Sequence, residues 1–397
     1  VGIVARSVRG RSAAPLTALV LALAAACRTA PPAASWPGPA TAVAPGVELF
    51  QTTDRSLVES AGALSMSLLR LDPERVQLVS ALSNDAVVDA EPVDAIAARH
   101  QAVAAINGGF FNVKNGEPTG LLKVRGELVS DSSLGRGAVV IWSPAGGRTR
   151  LAFDQLSAKV TMKFRAEGYD WVVPIDGVDT TRARGKVMLY TPAYHAHTDT
   201  ATNGIEWVIR GGDKPVVRGI RKDAGRTPIP RDGAVLSFGG LELPDELGAL
   251  AVGTPVRFET TWKSANGLDT AKLDHADHIV NGAGLLRLNG VTPTNWQTHE
   301  RLVADTFINA RHPRTVIGVD RQGFIWLAAI DGRQSDHSIG MTFTDLLRLC
   351  DRLELRDALN LDGGGSTTMV VNGRIVNRPS DAAGPRAVSD AILVKTR

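Results

Sequence analysis

The chain has 397 residues, 44% hydrophobic and 21% charged, a globular composition long enough for one large domain or two modest ones. Its formal charge of +3 lies in the leader: residues 1–26 carry Arg6, Arg9 and Arg11 and no acids, so without them the charge is zero and a nucleic-acid partner is excluded. An aromatic content of 5% argues against a stacking platform for sugars or bases, while 40 glycines and 21 prolines predict many turns and hence many strands.

From the N-terminus, the three arginines form a basic region before the short apolar run PLTALVLALAAAC, which ends at Cys27. This reads as a secretory leader over 1–27, too short for a comfortable membrane span, with a bacterial lipobox-like end that makes Cys27 the lipidated residue. The expected location is extracytoplasmic, anchored to a membrane through Cys27. Residues 28–45 are Pro/Ala-rich and patternless and read as an extended tether. Residues 46–397 then form a single domain. Cys350 is the one cysteine besides Cys27, so the domain has no internal disulfide and its core must supply its stability. Cys350 lies in an apolar helical pattern, which predicts buried packing.

Two segments share one arrangement. In 93–111, a helical pattern at Val93, Ile96 and Ala97 is followed by an apolar run, Ala102–Ile106, that breaks at Asn107-Gly108-Gly109. In 342–366, Thr342 or Thr344 caps a helix with Leu346, Leu349, Cys350 and Leu353 on one face. The short strand DALNL (357–361) then breaks at Asp362-Gly363-Gly364-Gly365-Ser366. Both place a polar residue and glycines at the carboxyl end of a strand, where ligands collect in α/β sheets. Hairpins dominate elsewhere: 120–130 turning at Arg125-Gly126, 315–333 turning through Asp320–Gly323, and 368–377 turning at Asn372-Gly373. The economical reading is α+β: a mixed, hairpin-rich β-sheet core with a few packed helices in a single catalytic domain.

The glycine corner is the chemically suggestive stretch. Glycines 363–365 can adopt positive φ and bring a ligand close to the main chain, successive N–H groups can cradle an anion, and Ser366, Thr367 and Thr368 add hydroxyls. Asp362 is placed to orient or act on what is held there. The stretch is not a Walker loop, because no lysine precedes the Ser/Thr. Asn107 reads equally as a ligand contact or a turn residue, and Phe110 and Phe111 read as core. Arg314, Arg333 and Arg386 each flank a strand or turn, and arginine suits bidentate phosphate recognition. Asp331 ends the apolar strand IWLAAI, an awkward place for a bare charge unless it lines a site. The eight histidines form no HExxH; HAH (195–197) and DHADH (274–278) are their clusters, with Asp274, Asp277 and His278 as weak candidate metal ligands. No GxSxG elbow is present.

INGGFF, YTPAYHAHTDTATNGIEWVI, RTVIGVDRQG, DGR, LNLDGGGSTTMVVNG and VNRPSDAAGPRAVSDAILV occur in an order that resembles the phosphodiester glycosidase family, from about Ile106 to Val394. The resemblance implies an α+β catalytic domain that hydrolyses sugar-1-phosphodiesters at the bond between anomeric carbon and phosphate oxygen. It implies Asp362, Asp331 and Glu206 as catalytic carboxylates. It implies Asn107, Gly108, Arg314, Thr315, Arg333, Gly363, Gly364, Gly365, Ser366 and Arg386 as substrate- or phosphate-binding positions. About 130–185 and 210–300 match loosely, which places substrate choice in those loops. The substrate would be a phosphodiester-linked sugar of an extracytoplasmic glycan or glycoconjugate.

A glycosidase ordinarily needs two carboxylates, one to protonate the leaving oxygen. A phosphate monoester has a second pKa of about 6 and needs less help to leave. Arginines and N–H groups can stabilise its charge, which leaves one carboxylate to attack or activate water. No cofactor is required on this reading, although a divalent metal is possible. Two alternatives remain at this level: a metal-dependent phosphodiesterase cutting P–O through Asp274, Asp277 and His278, and a non-catalytic envelope protein that binds phosphoglycans. The first reading expects Asn107, Arg314, Asp331, Asp362 and Arg386 to converge on one site.

Overall fold

A computed structural model of the chain describes residues 36–240 and 242–397. The leader and the lipidation site at Cys27 lie outside the described residues, as do residues 28–35 of the tether. The compact unit begins at Pro37, earlier than the expected boundary at Gly46. Thr41–Ala44, expected as the end of the tether, is a strand paired antiparallel to Val47–Thr52, because Gly46 at φ +78° turns the chain back on itself.

The fold is α+β. Among the described residues, four sheets of five to seven strands account for most of it, with two α-helices of more than one turn, Val93–Arg99 and Phe343–Arg352. The three expected hairpins form at the expected turns. The later helix starts at Thr342, whose hydroxyl accepts from Asp345 N–H while the Asp345 carboxylate accepts from Thr342 N–H, a reciprocal capping box. Cys350 is buried in this helix, and burial pushes its thiol up to about 12, so it packs and does not react. Among the described residues no helix is long and apolar enough to cross a membrane.

Two sheets position the features of interest. In one, Leu355–Asn360 pairs with Arg314–Asp320, which pairs with Ile325–Ile330. In the other, Ala104–Asn107 lies between Met369–Val371 and Asp390–Thr396. A common core joins them, with Leu69, Leu78, Ile106, Ile317, Leu327, Leu359 and Ile392 all fully buried. A second core, around Val160, Met162, Trp207 and Leu236, serves the sheet that carries Glu206. The first core brings the carboxyl ends of Ala104–Asn107 and Leu355–Asn360 together, although they lie in different sheets.

Candidate active site

The two glycine corners are bonded to each other. Asn107 Nδ2 donates to the Asp362 carbonyl at 2.7 Å, and Asp362 N–H donates to the Gly108 carbonyl at 3.2 Å. Asn107 Oδ1 accepts from Thr315 Oγ1 at 2.8 Å and from Thr368 N–H at 3.2 Å. With its side chain committed and buried, Asn107 is a clamp between two sheets and not a ligand contact. Thr315 is likewise buried and holds Asn107, so its expected role in phosphate binding is corrected to a supporting one.

Beneath the first corner lies a carboxylate that sequence reasoning missed. Asp390, 1% exposed, accepts from Gly109 N–H at 3.1 and 3.3 Å, and its carbonyl accepts from Gly108 N–H at 2.9 Å. A Cβ on Gly108 would meet Asp390 Oδ2 at 1.9 Å, so the close approach needs glycine. The available signal was its place, an acid opening an apolar strand, the same oddity that drew attention to Asp331. Burial pushes the Asp390 carboxyl up to about 6, against the pull of Ser389 and Gly109 N–H. Asp362 is half-buried and is also raised to about 6. Burial dominates there as well; Ser366, Gly363 N–H and Arg386 hold the value down, and the Asp390 charge adds to the rise. Gly363 N–H donates to Asp362 Oδ1 at 2.9 Å. Thr368 Oγ1 is buried nearby without a protein hydrogen-bond partner.

The bareness of glycines 363–365 is filled by protein groups, not left open as an N–H cradle. Gly364 N–H donates to the Pro313 carbonyl, and Ser366 N–H to the Gly363 carbonyl. A Cβ on Gly363 would lie 2.6 Å from the Pro313 carbonyl oxygen. Gly364 sits at φ +63°, and its Cβ position lies 3.0 and 3.1 Å from the two terminal nitrogens of Arg333. The Cβ position of Gly365 lies 2.2 Å from Asp381 Oδ2 and 2.3 Å from Arg386 Nη2. Two guanidinium groups, those of Arg333 and Arg386, therefore flank the glycines.

Each arginine has a positioning partner. Arg333 Nη2 donates to His312 Nδ1 at 3.2 Å, while His312 Nε2–H donates to the Thr306 carbonyl at 2.9 Å. Burial lowers the His312 pKa, which favours this neutral tautomer. Arg386 is held by Asp381 at 2.8–2.9 Å. Gly365→Ala should leave the fold nearly intact, since its new methyl meets the far ends of two flexible side chains, yet it should displace Arg386. We expect a melting temperature within about 2 °C of wild type and a KM raised roughly tenfold or more. A large loss of melting temperature would show that the glycine serves folding instead.

Several expected site residues have other duties. Arg314 is 2% exposed; its Nε donates to the Met341 carbonyl at 3.0 Å and its Nη2 to the Phe307 and Ala310 carbonyls at 2.5 and 3.0 Å. Its guanidinium lies 5.0 and 5.1 Å from the Phe307 and Phe343 ring centres. It is a structural cation, and burial lowers its pKa to about 9. Asp331 is buried and its carboxylate is committed to protein groups. Its oxygens accept from Asn377 Nδ2, Arg378 N–H and His337 Nε2 at 2.7–3.1 Å, tying the Arg333 loop to the segment that leads to Arg386. Glu206 is fully buried and accepts from Thr198, Thr200 and Ser237 hydroxyls at 2.8–3.3 Å; no hydrogen bond links it to the glycine corner. Of the five residues expected to converge, Asn107, Asp362 and Arg386 build the site, whereas Arg314 and Asp331 brace it.

The DHADH residues do not assemble a metal centre. Asp274 Oδ1 accepts from Trp262 Nε1, Asp277 Oδ2 from Ser143 N–H, and His278 Nδ1 from Arg125 N–H. His278 is buried and its pKa falls to about 4 through burial.

What the site has is an acid at the head of a glycine run that two arginines flank, in a chain whose motifs run in a recognisable order. Residues 203–395 match the phosphodiester glycosidase family. The match covers Asp362, Asp390 and the arginines and begins after Asn107. The chain is 34% identical over 122 residues to human N-acetylglucosamine-1-phosphodiester α-N-acetylglucosaminidase, covering 29% of this chain and 23% of that protein. It is 33% identical over 104 residues to the bovine protein of the same name, covering 25% of this chain and 19% of that protein. The chain thus spans about a fifth of the length of the curated relatives it matches. A hypothetical protein from Synechocystis has a similar structure, with a TM-score of 0.73 and 25% identity, over 89% of this chain and 62% of that one. An exported protein from Burkholderia pseudomallei shares the fold at a TM-score of 0.71 and 23% identity, over 85% of this chain and 75% of that one.

Proposed function

We propose that this phosphodiester glycosidase relative is a hydrolase that cleaves the glycosidic C–O bond of sugar-1-phosphodiesters. The observation that carries the reading is Asp362: a half-buried carboxyl with a pKa near 6, at the head of a glycine run flanked by two guanidinium groups, each held by its own partner. Arg333 and Arg386 would bind the phosphate and stabilise the charge that develops as it leaves. The leaving oxygen then needs no strong general acid. Asp362, ionised above pH 6, would act at the anomeric carbon, either directly or through a water. The bond from C1 to the phosphate oxygen breaks, its electron pair stays with the phosphate, and water finally supplies the hydroxyl at C1. Asp390 and Asn107 would keep the two corners in register.

The names of the curated relatives make an N-acetylglucosamine-1-phosphodiester the first substrate to test. Export and anchoring through Cys27 belong to the same proposal, supported by the leader pattern, and would place the substrate among extracytoplasmic glycans or glycoconjugates. Hydrolysis in ¹⁸O-labelled water tests the bond choice. Label in the released sugar is expected. Label in the phosphate would mean P–O cleavage and would overturn the glycosidase reading.

A further inference from the structure

Glu206 accounts for the local order of a segment outside the glycine corner. Its carboxylate takes the hydroxyls of Thr198 and Thr200, which are buried, and so turns the intervening and preceding residues outward. Thr198 N–H donates to the Thr227 carbonyl, Thr227 N–H returns to Thr198 Oγ1, and Ile229 N–H donates to the Ala196 carbonyl. The backbone of 196–200 is therefore fixed. On its outer side stand His195, His197 and Asp199, the last at φ +50°, an uncommon conformation that aims its carboxylate back at the two imidazoles.

We propose that His195, His197 and Asp199 form a binding site for a divalent transition cation, with zinc as the first candidate. One ligating atom from each side chain lies within 4.8 Å of the other two. His195 Nδ1 is 3.3 Å from Asp199 Oδ2, and His197 Nδ1 is 3.0 Å from Asp199 Oδ1. Zinc bonds to nitrogen and oxygen of about 2.0–2.2 Å in a tetrahedron imply ligand-to-ligand edges of about 3.3–3.5 Å. The side chains stand close to that spacing before any adjustment. The rings are 5.0 Å apart and nearly perpendicular at 89°, so they do not stack face to face. His197 Nδ1 is buried and makes no hydrogen bond, although a carboxylate oxygen is at hydrogen-bond distance. A cation between them would satisfy both. Two imidazoles and a carboxylate favour a borderline ion over magnesium or calcium. Asp199 also lines a cavity of about 530 Å³, which leaves room for a water or small ligand in the remaining position.

Arg226 is the competitor. Its Nη2 lies 2.7 Å from His197 Nε2 and its Nη1 3.8 Å from Asp199 Oδ1, so its positive charge already neutralises the carboxylate. Arg226 is exposed and can swing away. This predicts a distinctive response: removing a charged residue should strengthen cation binding. The site does not depend on the hydrolase reading.

The test is titration of zinc chloride into the chelator-treated full chain, followed by calorimetry, with cobalt substitution to read the ligand field. One zinc per chain is expected, with a visible band from four-coordinate cobalt. His195→Ala, at an exposed position, should keep the wild-type melting curve, weaken zinc binding at least tenfold and abolish the band. Arg226→Ala should tighten binding several-fold. Zinc binding unchanged in His195→Ala, or no binding by the wild-type chain and Arg226→Ala alike, overturns the proposal.

Discussion

Asp362→Asn is expected to lower turnover of a sugar-1-phosphodiester by roughly 10²–10⁴-fold, the range for loss of a positioned acid–base or nucleophilic carboxylate, while the protein stays folded. The amide keeps the shape of the acid and the bond to Gly363 N–H can persist. Folding should not suffer, and the sign can be worked out. Burial raises the Asp362 pKa from 3.8 to about 6 in the folded protein, so the ionised carboxylate is disfavoured there relative to the unfolded chain. Its contribution to stability is fully present below pH 4 and is lost as pH rises through 6. Asparagine has no such charge, so above pH 6 the variant should melt at or above the wild-type temperature. Near-wild-type turnover in a folded Asp362→Asn protein would remove Asp362 from the chemistry. The wild-type kcat/KM should fall on the acid side with a limb near pH 6. Asp390→Asn removes a like charge that adds to the rise caused by burial, so it should move that limb slightly to lower pH.

Arg314→Ala is expected to cost about 3–5 kcal/mol of stability, a drop in melting temperature of roughly 5–10 °C. Three main-chain carbonyls lose their donor, and two aromatic rings lose the cation packed between them. Arg314→Lys keeps a charge but cannot reach three acceptors in a fork, so an intermediate loss should follow. The comparison with Arg333→Ala separates two kinds of arginine. Arg333 is exposed, and among the described residues its side-chain partner is His312, so its loss should raise KM while the melting curve barely moves. If Arg314→Lys instead raised KM at unchanged stability, Arg314 would be a phosphate ligand after all. Differential scanning calorimetry beside steady-state kinetics decides between these outcomes.

What could be read from the sequence follows a physical division. Local signals were sufficient for local structure: Asn372-Gly373 between β-rich arms makes a hairpin, and Thr342, one of the two threonines expected to cap the later helix, does so. The matching breaks at Asn107 and Asp362 were legible because a strand that ends in glycines is unusual anywhere. Which arginine is buried and which is exposed was not legible. Arg314 and Arg333 have similar settings in the sequence, and their fates depend on Phe307, Phe343 and His312, whose approach is tertiary. Asp331 was correctly singled out as an odd charge at a strand end, but its partners Asn377 and Arg378 come from a loop some forty-six residues away. Asp390 presented the same oddity, and its meaning became plain only when strand pairing placed it under Gly109.

The strand Asp390–Thr396 lies between Ala104–Asn107 and Val76–Leu82, and Asp390 holds Gly109 across 281 positions of sequence. Closing so long a loop yields no local reward along the way, so this pairing should form late. A folding intermediate could have both hairpins around the glycine corner and still lack the support beneath Gly108. Competence would then arrive in one step, with the docking of a single strand. Hydrogen exchange should show it: the Gly109 amide should open only with the whole sheet, and refolding should restore its protection and the acid limb of the pH profile at the same rate.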